Sequence, residues 1–310
     1  MRVTQNMMMS KFKTNLSSNL ERMDRYQMQI ATNKRITRLS DDPIGVIGSM
    51  TARVRLYRIE QYSKNVETAQ GWLEQAETSI KEMNGILQDA YELAVNSAGT
   101  DKTEEDKQKN AEVIKQLRDH VVQIGNTMYG DKYIFGGYNT NRPPFELRAD
   151  ELYYNDQLLS DDTNPDLLAE DAESLQFEIG TGMYTDVSFP GTKILGTGED
   201  HIYAVMDELY GLLMNNGSAE DIGKSITKLQ DSQAKLLAKQ AEVGGRTTRL
   251  EMVSSRYEDD FLSYTDRKSN VEDADQAEVI MQMKMAEAVY LSALNVGAKI
   301  IQPTLADFLR

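Results

Sequence analysis

Ser40-Asp41-Asp42-Pro43-Ile44-Gly45 is the stretch from which the chain is read. The Asp42 carboxylate can accept from the orphan backbone N–H groups at a helix start, and proline suits the first helical position. Both acids also lie at the positive end of the helix dipole. A helix is therefore predicted from Pro43. Nothing stops it before Ala98: proline is absent from 44 to 142, and only Gly45, Gly48, Gly71 and Gly85 interrupt. One helix of roughly 55 residues would reach ~80 Å, a length that needs a partner along its side.

On the N-terminal side, Met9, Phe12, Leu16, Leu20, Met23, Tyr26 and Ile30 step by three or four, which predicts a helix over about 5–33. On the other side, Thr103-Glu104-Glu105-Asp106 is a second acidic helix start. Four of the six prolines and seven of the 20 glycines fall in 131–200. There Tyr133 and Phe135, then Leu175, Phe177 and Ile179, alternate with polar residues as short strands do. Helix resumes near Asp200 and stops at Asn215-Asn216-Gly217, and Ser218 with Asp221 restarts it as a capping pair. Residues 246–296 hold neither Gly nor Pro, enough for one helix of roughly 75 Å. The fold class is mainly α: a long antiparallel helical rod or coiled-coil bundle formed by both termini, with a small β-rich insert. Three domains are expected: 1–40 with 272–310, 41–130 with 200–271, and 131–199.

The composition excludes several functions. Among 310 residues there is no cysteine, so neither disulfide nor thiolate chemistry is available. A net charge of −15 argues against nucleic acid as a partner. No stretch approaches the ~18 apolar residues of a membrane span, and no apolar signal-peptide core follows Met1. Residues 1–40 carry eight basic groups against two acids, whereas 271–310 carry three against six, so the ends differ in sign.

No catalytic, cofactor or metal site is assigned. His120 and His201 stand apart without ligand spacing and read as surface residues. Asp161, Asp162, Asp166 and Asp171 lack the spaced oxygens and central glycine of a calcium loop. Phe135-Gly136-Gly137 and Gly196-Thr197-Gly198 are too short for phosphate cradles. Trp72 reads as a packing residue, and the 16 methionines as adaptable helix contacts.

Five segments together resemble the bacterial flagellin superfamily. Residues 33–45, with Arg35, Ser40, Asp41, Asp42 and Pro43, are similar to its N-terminal turn, although Asn33 stands where glycine is usual and Ile44 where alanine is common. Val243-Gly244-Gly245-Arg246 with Arg249-Leu250-Glu251, and Val271-Glu272-Asp273-Ala274-Asp275, resemble its C-terminal motifs. Tyr133-Ile134-Phe135-Gly136-Gly137 with Pro144-Phe145, and the 298–309 tail with Pro303 and Leu305, resemble the hook–filament junction branch.

The resemblance implies a structural, non-enzymatic component of the flagellum, a ring between hook and filament on which flagellin assembles. It implies export from the cytoplasm by the flagellar type III apparatus without a cleaved signal peptide, to an extracellular position. The implied partners are further copies of the chain, flagellin, the adjacent hook-associated protein, the filament cap and a cytosolic export chaperone. A filament-forming flagellin and a non-flagellar coiled-coil scaffold or binding module are the other readings. The assembly interface is expected where Phe12, Leu16, Met23 and Ile30 pack on Ala277, Met281, Ala288 and Leu291. Basic Lys11, Lys13, Arg22 and Arg25 are expected near Glu278 and Glu287.

Overall fold

The structure, a computed structural model, describes residues 5–99, 103–161 and 175–300. Its helices are α1 (Gln5–Thr32), α2 (Pro43–Ala98), α3 (Glu104–Gly125), the short α4 (Gly191–Leu195), α5 (Ile202–Met214), α6 (Ala219–Glu272) and α7 (Gln276–Ile300). Between α3 and α4 lie β1 (Met128–Tyr129), β2 (Lys132–Tyr133), β3 (Phe145–Arg148), β4 (Glu151–Tyr154), β5 (Gln157–Leu158), β6 (Gln176–Gly180) and β7 (Met183–Asp186). The fold is mainly helical, with small antiparallel sheets in the middle of the sequence. The chain divides into two compact units, a terminal one (Met1–Ile59 with Asp259–Arg310) and a central one (Glu60–Glu258).

In the central unit α2 and α6 run antiparallel, because Tyr62 stacks on Tyr257 while Gln88 accepts from Gln233. Along α2 the buried Val66, Ala69, Leu73, Ala76, Ile80, Met83, Leu87, Ala90 and Ala94 form one seam, alternating steps of three and four. On α6, Ile222, Leu229, Leu236, Val243 and Leu250 recur every seven. These are coiled-coil seams, which hold long helices together by knobs-into-holes packing. α3 and α5 pair antiparallel beside them, with Lys107 bonded to Asn216 and Arg118 to Asp207.

The helix starts follow the expected chemistry. Thr103 accepts from Asp106 N at 3.3 Å, and Ser218 accepts from Asp221 N at 3.2 Å while donating to its carboxylate at 2.7 Å. The sheets are β1–β2, the meander β3–β4–β5 and the hairpin β6–β7. Phe177 and Ile179 lie in β6, but Phe135 does not extend β2. It sits in the following turn, fully buried, where its carbonyl accepts from Gly191 N and the Tyr154 hydroxyl. Gly137 at φ +64° turns the chain there, and a side chain on Gly136 would strike the Asn139 carbonyl at 2.3 Å. Phe145 fills the same core, 5.4 Å from the Tyr154 ring. The tyrosine–phenylalanine–glycine motif is thus a packing motif of the central unit.

The expected single helix over 246–296 is broken. α6 ends at Glu272 and α7 begins at Gln276, although neither glycine nor proline intervenes. Two features end it: distant Lys34 forms an antiparallel bridge with Asp273, and Asp275 accepts from Ala277 N and Glu278 N as a new N-cap.

Candidate assembly site

The two end motifs meet in the terminal unit. After α1, Asn33 adopts φ +57°, the left-handed conformation that ends helices and that asparagine tolerates better than most residues. Its departure from the family's glycine is therefore mild. The Asn33 carbonyl accepts from Ala274 N at 3.1 Å, and Arg35 N donates to the Glu272 carbonyl at 2.6 Å. The Arg35 guanidinium reaches the Val271 carbonyl at 3.0 Å.

Glu272 is the centre of this junction. Its side chain is only 7% exposed. Oε1 accepts from Ser49 Oγ at 2.6 Å and from Arg53, while Oε2 makes no hydrogen bond and faces Lys34 Nζ at 3.5 Å. Burial alone would raise this carboxyl, but Ser49, Arg53 and Lys34 together hold it below the usual carboxylate range. Asp41 folds the preceding loop by accepting from Arg38 N at 2.9 Å, Thr37 N at 3.2 Å and Thr37 Oγ1 at 3.1 Å. Its carboxyl is lowered chiefly by the Arg38 N–H. Asp42 caps α2 through Gly45 N at 2.9 Å and lies 3.6 Å from Arg35. A Cβ on Gly45 would meet Asp42 Oδ2 at 2.5 Å and Ile36 Cδ1 at 2.7 Å, so a side chain there would displace the capping carboxylate. Ser40 is exposed in the turn that precedes these acids.

α1 and α7 lie side by side. Phe12, Leu16, Met23 and Ile30 are half-buried on one face of α1, with Asn19 buried among them. A Cβ on Gly297 would come within 2.3 Å of the Phe12 ring, so glycine is what lets the helices approach there. A groove of about 640 Å³ between them is lined by Phe12, Leu16, Arg22, Ala288, Ala293 and Val296. The covered face of α7 is Val279, Met283, Ala286, Tyr290, Ala293 and Gly297. Of the expected C-terminal stripe only Ala288 borders the groove. Ala277, Met281 and Leu291 lie on the exposed side of α7. The expected ion pairs do not form within the chain either: Glu287 pairs with Lys284 of its own helix at 2.9 Å, and Glu278 accepts from Gln282. Among the described residues, Lys11, Lys13, Arg22 and Arg25 make no ion pair with either acid.

The other motif residues support packing. Arg246 lies 4.6 Å over the Phe189 ring, donates to the Asp186 carbonyl at 2.9 Å and pairs with Glu242. Gly244 sits within α6, where a Cβ would meet nothing. Pro303 and Leu305 lie outside the described residues, as do Asp162, Asp166 and Asp171. His120 is half-exposed beside Glu82. His201 is not a surface residue. It is 2% exposed and caps α5, its Nδ1 accepting from Ala204 N at 3.0 Å while Nε2 lies 3.3 Å from Ser160 Oγ. Burial pushes its pKa down to about 4. Spacing alone carried no signal for that cap.

Residues 3–140 match the bacterial flagellin N-terminal helical region. The chain is 22% identical to flagellar hook-associated protein 3 of Escherichia coli, over 94% of this chain and 95% of that one. It is also 22% identical to the Salmonella typhimurium protein of that name, over 93% of each. Two solved structures share the fold: the flagellar junction protein FlgL of Legionella pneumophila (TM-score 0.58, 12% identity, 74% of this chain and 100% of that one) and FlgL of Bacillus cereus (TM-score 0.57, 17%, 70% and 97%). With a flagellin-type N-terminal region and similarity along nearly the full length of both chains, this protein is a relative of flagellar hook-associated protein 3.

Proposed function

We propose that this chain is a structural component of the bacterial flagellum, forming the junction ring between hook and filament on which flagellin assembles. The observation that carries the reading is the near end-to-end similarity to hook-associated protein 3. The terminal unit supports it. Met281, Met285, Val289 and Leu291 are each more than half exposed on α7, a cost in water that burial against neighbouring subunits would remove. Phe12, Leu16, Met23 and Ile30 with Ala277, Met281, Ala288 and Leu291 then form an interface in two layers, one within the subunit and one between subunits.

In the assembly, 1–40 with 272–310 serves as the inner tube, 41–130 with 200–271 as the surrounding helical layer, and 131–199 as the outer part. Its role is assembly, not catalysis. Its partners are its own copies, flagellin, the adjacent hook-associated protein and the cap, after export by the flagellar type III route with a cytosolic chaperone.

Deletion of the gene tests this. Cells with hooks, no filaments and flagellin released into the medium are the expected outcome, reversed by supplying the gene. Cells that still bear normal filaments would overturn it.

A further inference from the structure

We infer that the outward face of α2 in one copy seats on the outward face of α6 in the next, a head-to-tail contact between unlike surfaces. The inference rests on the junction reading and adds the pair of surfaces that joins neighbours.

Within the terminal unit, α2 buries or half-buries Val46, Ser49, Ala52, Leu56 and Ile59. At about 100° per residue, the opposite side of the helix carries Ile44, Ile47, Met50, Val54 and Tyr57. All five are more than half exposed, Ile44 at 84% and Tyr57 at 72%. An exposed apolar stripe of this kind marks an interaction site. Its charge is one-sided: residues 43–59 contain Arg53, Arg55 and Arg58 and no acid. Arg53 is engaged with Glu272. Arg55 and Arg58 border the stripe, sharing a shallow depression with Met50 and Val54.

The occupant must therefore be apolar and acidic together. A two-fold contact of this face with itself would bring Arg55 and Arg58 against their own copies, which like charges oppose. The outward face of α6 offers the complement. Asp259, Leu262 and Asp266 are exposed there, opposite the covered Tyr264, Lys268 and Glu272, and Leu262 is 62% exposed. Of the basic residues near it, Arg267 lies over the Tyr264 ring of its own helix at 5.4 Å. Among the described residues, none of Arg55, Arg58, Asp259 and Asp266 has an ion-pair partner within the chain. A contact between two different patches repeats from copy to copy until it closes as a ring or continues as a helix, which suits a junction.

The test is a charge exchange in deletion cells supplied with the full chain. Arg55→Glu with Arg58→Glu should lower the number of filaments at least about tenfold, as like charges across an interface do. Asp259→Arg with Asp266→Arg should do the same. Secretion and helix content should be unchanged in both. All four substitutions together should restore filaments to within about threefold of the unsubstituted chain, since the attraction is re-formed with reversed sign. If either pair alone assembles normally, or the fourfold variant does no better than the pairs, the proposal falls while the junction reading stands. If the unsubstituted chain is absent from isolated flagella, the junction reading itself falls.

Discussion

The Ser49 hydroxyl donates to the Glu272 carboxylate at 2.6 Å, joining residues 223 positions apart. Replacing Glu272 by Ala leaves Ser49, Arg53 and Lys34 facing one another without their shared anion. Loss of such a buried, hydrogen-bonded charge is expected to cost about 2–3 kcal/mol, somewhat less than a fully enclosed pair because Arg53 is half-exposed. Amide exchange in residues 33–50 should accelerate accordingly. The same group sets an acid limit. Its folded pKa is depressed, so its stabilisation is complete above the ordinary carboxylate range and disappears as pH falls through the lower folded value.

His201 gives a second pH dependence at higher pH. Between about 6.5 and 4 the unfolded chain binds a proton that the folded chain refuses, so stability rises with pH across that window. The whole effect is of the order of 3 kcal/mol. His201→Asn keeps a capping acceptor and removes the titration. Thermal unfolding followed from pH 7 to 4.5 should therefore fall less steeply in that variant, and an unchanged slope would refute the assignment.

Leu16 and Leu291 separate the two layers of the proposed interface. Leu16→Asp places a charge in the groove between α1 and α7 and should loosen both helices in the free chain, besides blocking filament growth. Leu291 is 54% exposed, so Leu291→Asp should leave the free chain unchanged and still block growth. Glu287→Gln removes only an exposed pair with Lys284, worth at most about 1 kcal/mol, and should have little effect. Filament counts beside helix content of the secreted chain distinguish the three.

Even in the unsubstituted monomer the terminal helices should be weakly held. Much of α1 is exposed, and Asn19 is the one buried position among its described side chains. Helices with so little burial open readily. Fast amide exchange in α1 and α7, slowing on assembly, is the expected result; slow exchange in the monomer would contradict it.

Ala149 carries φ +53° at the β3–β4 hairpin, where glycine or asparagine is favoured. Ala149→Gly should raise the stability of the central unit by up to about 1 kcal/mol, measured by urea unfolding.

Much of this architecture was legible where a side chain acts on its own neighbourhood. Asp42 before Pro43, Ser218 before Asp221 and Thr103 before Asp106 announce helix starts, because a cap is a local interaction. The break at 273–275 was not legible. It depends on Lys34, more than 230 residues away, offering a strand-like partner. The facing side of α7 was also hidden. Apolar residues surround most of that helix, so periodicity cannot choose among faces, and the contact between Phe12 and Gly297 does. His201 was misread because a buried histidine serving as a cap has no sequence signature distinct from an exposed one.

The meeting of residues 33–35 with 271–274 also orders the folding of the chain in time. The central unit is one unbroken stretch, Glu60–Glu258, and can close on its own as soon as that stretch is available. The terminal unit combines Met1–Ile59 with Asp259–Arg310, so the pairing of α1 with α7 must wait for both ends of the chain. Contacts of such high sequence separation carry a larger loop-closure entropy and form late. Folding should thus be biphasic, a fast phase within Glu60–Glu258 followed by a slower zipping of the two ends. A segment that finds its partner last is also the one most open, until then, to capture by something else.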